Sequence, residues 1–151
     1  MRIQQLSELL KLIASGRLEM KTLYRRLSQH VDSTRVKMVL DYLGKNQQQA
    51  HDALARYLAE APTRILGTWY DGVVFEDFSK RCKAINLAPN ANDEDVLELH
   101  LDLENRLLAL LQQGADLAPT QEIRSALSEL VAVEKNQQRR LVHNVQRMED
   151  I

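Results

Sequence analysis

KNQQQAH, residues 45–51, returns almost unchanged as KNQQRRL, residues 135–141, ninety positions further along a chain of 151. Both copies sit inside runs whose apolar residues recur every three or four positions, the spacing of one helix face. The first run spans about Ser33 to Ala61, with the stripe Val36, Leu40, Leu43, Gln47, Ala50, Leu54, Leu58, and Pro62 ends it. The second opens at Pro119-Thr120 and continues to about Met148, with the stripe Ile123, Leu127, Leu130, Glu134, Gln137, Leu141, Met148. The same shift of ninety aligns Leu40 with Leu130 and Leu43 with Val133, as if one helical hairpin had been written twice.

Each of these helices has a partner just before it. From about Ile3 to His30 the stripe is Leu6, Leu10, Ile13, Arg17, Met20, Tyr24, Leu27. From Asn92 or Asp93, with an acidic first turn that suits the helix dipole, a third helix runs to about Gln113, where Gly114 closes it. Its stripe is Leu97, His100, Glu104, Leu107, Leu111. Short turns make antiparallel neighbours. The sequence therefore predicts an all-α fold: one domain over residues 1–151, an antiparallel four-helix bundle with a long crossover at 62–92. A short helix around Phe75–Ile85 falls in that crossover, together with the only Trp and both Phe residues.

Composition is that of a globular protein, with 44% hydrophobic and 27% charged residues. Five glycines and three prolines favour long helices. A net charge of −1 gives no general pull toward nucleic acid or anionic lipid. The basic clusters Arg25-Arg26, Lys80-Arg81-Lys83 and Arg139-Arg140 read as solvated faces. The lone Cys82 excludes an internal disulfide and a Cys-rich metal site, and reads as a small buried thiol. The start, MRIQQLSELLKLIASG, is interrupted by Glu8 and Lys11 and reads as mature structure rather than a targeting segment. No apolar run is long enough to span a bilayer, and the cytoplasm is the expected compartment.

All four stripes are apolar at both ends and polar in the middle. Arg17 interrupts the first, Gln47 or Gln48 with His51 the second, His100 and Glu104 the third, and Glu134, Gln137 and Gln138 the fourth. At matching heights these residues form one polar layer across the bundle interior. Such a layer costs several kcal/mol unless its members satisfy one another.

With RLEMKTLYRRLSQHV, VKMVLDYLGKNQQQAHDALARYL and the second hairpin in hand, the chain resembles the ferritin-like superfamily, most closely its rubrerythrin-type branch. That resemblance implies a bundle in which helices one and three each present a Glu and helices two and four each present Glu-x-x-His around two metal ions. Counting back two turns from Tyr24, the first Glu position falls on Arg17. The second helix offers Gln48-x-x-His51, the third His100, Leu101 or Glu104, and the fourth Gln138-x-x-Leu141. The resemblance thus implies a degenerate site, with no di-iron centre and no ferroxidase or peroxidase activity, since a metal pair needs several carboxylates.

Two readings of the layer follow. In one, Arg17 replaces the lost cations and pairs with Glu104 and Glu134, the glutamines and His51 complete a network, no cofactor is held, and the protein is a non-catalytic module. In the other, His51, His100, Glu104 and Glu134 keep one iron, manganese or zinc ion, and the protein is a metal carrier or an oxidoreductase-type enzyme. Trp69, Tyr70, Phe75 and Phe78 form the one aromatic cluster, either packed on the bundle or exposed as an anchor for a protein partner. A homodimer is expected, with no nucleic-acid or membrane partner. No Ser-His-Asp, phosphate-cradling glycine loop or HExxH motif occurs.

Overall fold

From Leu6 to Leu27 the buried side chains recur at helical spacing, and this stripe forms the spine of α1 (Leu6–Ser28). The computed structural model describes residues 2–149. Along them come β1 (Arg2–Gln5), α1, α2 (Thr34–Glu60), α3 (Thr63–Leu66), β2 (Trp69–Val74), α4 (Phe78–Ala84), α5 (Asp93–Asp116) and α6 (Gln121–Glu149). The four long helices make the all-α bundle that the hydrophobic spacing predicts, and α3, β2 and α4 make up the crossover.

Local chemistry sets the starts of these helices. The Ser33 hydroxyl accepts from the Val36 amide at the start of α2. Asn92 and Asp95 exchange side-chain and backbone hydrogen bonds in a capping box, and Asp93, Glu94 and Asp95 line the positive end of α5. The Asp77 carboxylate caps α4, and the Thr120 hydroxyl caps α6.

One hydrophobic cluster draws Leu9, Leu10 and Tyr24 from α1, Leu40 and Leu43 from α2, Leu103 and Leu107 from α5, and Leu127 and Val145 from α6. Two glycines let α1 and α5 come close. A Cβ on Gly16 would lie 2.9 Å from Leu107 Cδ2, and one on Gly114 would lie 3.0 Å from Leu9 Cδ1. Gly114 therefore does not end its helix, as the sequence suggests. It serves as a contact point inside α5, which continues to Asp116.

The N-terminal residues also differ from expectation. Arg2–Gln5 form a strand rather than the first turn of a helix, and pair antiparallel with β2 from the crossover. Ile3 opposes Val73 and Gln5 opposes Trp69, so β2 carries two extra residues between those pairs. Gly72, with φ at 82°, sits in this bulge, where only glycine turns cheaply.

The crossover is fastened on three sides. The Tyr70 hydroxyl donates to the Gly114 carbonyl at 2.9 Å. Arg26 donates to the carbonyls of Cys82 and Ile85, closing the C-terminal end of α4. Glu76 accepts from Arg81 and from Arg106 of α5. Phe75 and Phe78 stack beneath, ring centres 5.9 Å apart. Tyr70, Phe75 and Phe78 are thus buried, and of the aromatic cluster only Trp69 stands out, 64% exposed. Cys82 is buried, and burial pushes its thiol up to about 12.

Candidate functional site

Midway along α1, the turn that brings Gly16 against α5 also points Arg17 into the bundle, where it is 3% exposed. Its guanidinium meets three helices at once. Nη1 donates to Glu104 Oε2 at 2.6 Å, and Nη2 donates to Glu104 Oε1 at 2.8 Å. This two-pronged pairing matches the planar fork to the carboxylate. Nη2 also donates to Glu134 Oε2 of α6 at 2.7 Å, and Nη1 to Gln47 Oε1 of α2 at 2.9 Å.

The electrostatics follow from that geometry. Burial opposes the Arg17 charge, but Glu104, its hydrogen bonds and Glu134 outweigh it and hold the guanidinium protonated beyond its usual range. Burial likewise opposes ionisation of Glu104, yet the Arg17 charge and hydrogen bond keep its carboxyl below the usual range. Glu134 goes the other way. Burial raises it, Arg17 compensates only in part, and the Glu104 charge adds to the rise. One cation faces two carboxylates, and Glu104 holds the larger share of it.

One turn before Glu104, His100 is completely buried. Its Nδ1 lies 2.6 Å from the Tyr24 hydroxyl, and its Nε2 lies 3.4 Å from Glu104 Oε2. Burial lowers the imidazole to about 4, with the Glu104 charge opposing and Arg17 assisting, so it is neutral at pH 7. A neutral ring accepts at one nitrogen, and the carboxylate beyond Nε2 favours the proton there. Tyr24 therefore donates to Nδ1. Burial, and then Glu104, raises the Tyr24 hydroxyl well above its usual value.

Not every expected member of the layer is present. Gln47, 2% exposed, is the α2 residue that reaches Arg17. Gln48 lies outside the layer, accepting from Lys21 and donating to Asp52. His51 is also outside, its side chain 26% exposed and its Nδ1 3.1 Å from Asp52 Oδ1. Gln47 is the last fully buried residue of α2, and one turn on the helix is only half-buried, so the His51 ring turns to Asp52 beside it. Gln138 bonds Asn105 on α5 rather than Arg17. The four-ligand set that includes His51 is therefore not assembled. Among the described residues, no three His, Cys, Asp or Glu side chains group to hold a metal ion.

Beside the layer, sequence reasoning missed a cleft between α2 and α6. It has a volume of about 250 Å³, and Arg17, Gln47, Glu104 and Glu134 lie at its inner end. Asn46 and Gln47 line it from the first Lys-Asn-Gln-Gln copy, with Gln49 just beyond, and Gln137 and Gln138 from the second. The echo thus places amides on opposite walls. The copies are nonetheless out of step by one residue. Val36 and Leu40 match Leu127 and Val131 in burial at a shift of 91, whereas Val133, aligned with buried Leu43 by a shift of ninety, is 51% exposed.

The fold is ferritin-like. A crystal structure of a Thermotoga maritima protein assigned to the ferritin-like diiron-carboxylate proteins matches it with a TM-score of 0.62, covering 94% of this chain and 95% of that one at 16% identity. No protein-family model and no curated protein matches the sequence. Among the described residues, no helix is long and apolar enough to cross a membrane.

Proposed function

We propose that this chain is a rubrerythrin-type ferritin-like protein whose metal layer has become an arginine-centred ion-pair network, and that it serves as a non-catalytic interaction module in the cytoplasm. The supporting observation is the fork of Arg17, which takes both oxygens of Glu104 and one of Glu134. These residues do not fit a pair of metal ions. Two carboxylates and one imidazole are too few donors for a bridged pair. A fixed guanidinium occupies the space between them, and both carboxylates are already engaged. The layer instead has the character of a register-fixing network, one charge from each of α1, α5 and α6 joined to an amide from α2.

A second reading, retention of a single ion, draws support from His100. Its Nε2 is buried, has no hydrogen-bond partner among the described residues, and stands beside Glu104. That reading requires Arg17 to leave the interior, with His100, Glu104 and Glu134 as the remaining ligands. Elemental analysis of protein purified without chelator or nickel separates the two. Less than a tenth of an equivalent of iron, manganese or zinc is the expected result, unchanged after incubation with each ion and dialysis. A stoichiometric ion that is lost on His100→Ala overturns the proposal.

The interaction surface proposed is the one around Trp69 and Val74 on β2, 64% and 60% exposed, with a second copy as the default partner. Light scattering is expected to give twice the monomer mass of 17.3 kDa. Trp69, the sole tryptophan, then emits at shorter wavelength than in a Val74→Lys variant that dissociates. A monomeric mass refutes the dimer.

A further inference from the structure

The walls of the α2–α6 cleft are built from amides that hydrogen bonds within the protein hold in place. Asn46 Nδ2 donates to the Tyr42 carbonyl, Asn144 Nδ2 to the Tyr42 hydroxyl, and Gln138 Nε2 to Asn105. All three amides line the cleft, and each keeps its carbonyl oxygen and one of its two N–H groups available. Gln47 is the reverse case. Its oxygen is engaged by Arg17, and its Nε2, on a side chain that is almost wholly buried, has no partner among the described residues. Glu134 engages Arg17 through Oε2 alone, leaving Oε1 free. The cleft thus offers three amide carbonyl oxygens along its walls and, at its inner end, one carboxylate oxygen, one amide donor, and one more negative charge than positive.

We propose that this cleft binds a small organic molecule carrying a protonated amine next to a hydrogen-bond acceptor, with Glu134 as the counter-ion. An ammonium group has three donors and no acceptor, which complements the free Glu134 oxygen and the amide carbonyl oxygens beside it. The neighbouring hydroxyl or carbonyl accepts from Gln47 Nε2. The pairing also completes the charge of the layer, because the second carboxylate shares its guanidinium with Glu104. Calcium or magnesium is a poorer match, since each takes six or more oxygen ligands and only one free carboxylate oxygen is offered. At about 250 Å³ the cleft falls below the ~300–1,000 Å³ of sites for larger ligands and suits a compact metabolite. Arg140 is the other charge lining the cleft, and its exposure leaves it screened by solvent.

The inference rests on the arginine-filled layer proposed above, so the test begins with protein of measured metal content. Nitrogen-15-labelled protein is titrated at pH 7 with ethanolamine and, separately, with ethylene glycol, which keeps the hydroxyl and lacks the charge. The side-chain amide signals of Gln47, Asn46, Gln138 and Asn144 are followed. Ethanolamine is expected to shift them saturably and ethylene glycol to leave them in place. Glu134→Gln, which keeps an acceptor for Arg17, is expected to weaken binding at least tenfold. Gln137→Lys adds a competing cation on the exposed wall without touching the ion pairs, and is expected to do the same. No saturable shift from metal-free protein, equal shifts from both probes, or folded Gln137→Lys protein binding like wild type overturns the inference alone. A stoichiometric ion in the layer overturns it together with the proposed function.

Discussion

Arg17→Met removes the guanidinium while keeping an unbranched side chain to fill most of its path. Arg17 makes four hydrogen bonds of 2.6 to 2.9 Å, three of them to carboxylates. Their loss strands Glu104, whose side chain is 6% exposed, and half-strands Glu134, at 23%. Breaking a buried ion pair from one side costs about 3–5 kcal/mol, because the remaining charge keeps its desolvation penalty. Glu134 can turn toward water in the cleft, which places the expected loss near the lower end, about 3 kcal/mol. For a chain of this size that lowers Tm by roughly 6–12 °C.

The pH dependence gives a second, independent signature. Without Arg17, burial raises the folded-state pKa of both carboxyls above that of the unfolded chain. A raised group adds stability at low pH that is lost as pH climbs through the folded value. The deficit of Arg17→Met is therefore expected to be largest at pH 7–8 and to shrink toward pH 5. In wild type Glu104 behaves oppositely: its depressed carboxyl contributes stability above the ordinary carboxylate range that is lost on acidification. Adding Glu104→Gln and Glu134→Gln to Arg17→Met is expected to recover much of the loss, since whole networks are replaced more cheaply than they are broken. Urea unfolding at pH 5 and 8 measures all of this. A single-variant loss below about 1 kcal/mol, or a deficit equal at both pH values, refutes the account of the layer.

Two further outcomes follow from neighbouring groups. His100 falls from 6.5 to about 4 on burial, so the unfolded chain takes up its proton first and stability drains as pH falls from 6.5 toward 4. At ~1.4 kcal/mol per unit this reaches about 2 kcal/mol by pH 5, and His100→Asn is expected to be flatter by that amount between pH 7 and 5. Gly16→Ala puts a Cβ 2.9 Å from Leu107 Cδ2, an overpacking that costs ~1–3 kcal/mol against a helix-propensity gain of ~1. Gly44→Ala, with Lys21 Cγ at 4.0 Å as its nearest neighbour, keeps the gain and is expected to raise Tm in thermal unfolding, whereas Gly16→Ala lowers it.

How far each residue could be read from sequence depended on the range of the force that fixes it. Helix limits are local, set by caps such as Ser33 and the Asn92–Asp95 box, and fell within a residue or two of expectation at α2 and at the start of α5. Arg17, Glu104 and Glu134 were readable as a group because charges interrupting three apolar stripes at one height must find each other. Gln47 against Gln48 was a matter of one residue, or 100° of helix rotation, and family spacing counted from His51 pointed to the wrong member. Periodicity tells which face looks inward, not how deeply each residue on it is buried, and the half-buried His51 turns to Asp52. The strands escaped notice for the opposite reason. Arg2–Gln5 is too short and too polar to carry an alternation of its own, and its pairing is decided by residues almost half the chain away.

That pairing bears on the order in which the molecule assembles. Each helical hairpin closes through near neighbours in the chain and can form early. Joining residue 2 to residue 74 ties off a loop that contains the whole first hairpin, and its entropic cost is met only once that hairpin and the crossover are both in place. The small sheet is therefore a clasp fastened late, and its amides should be among the first to exchange with solvent when the protein opens from the native side.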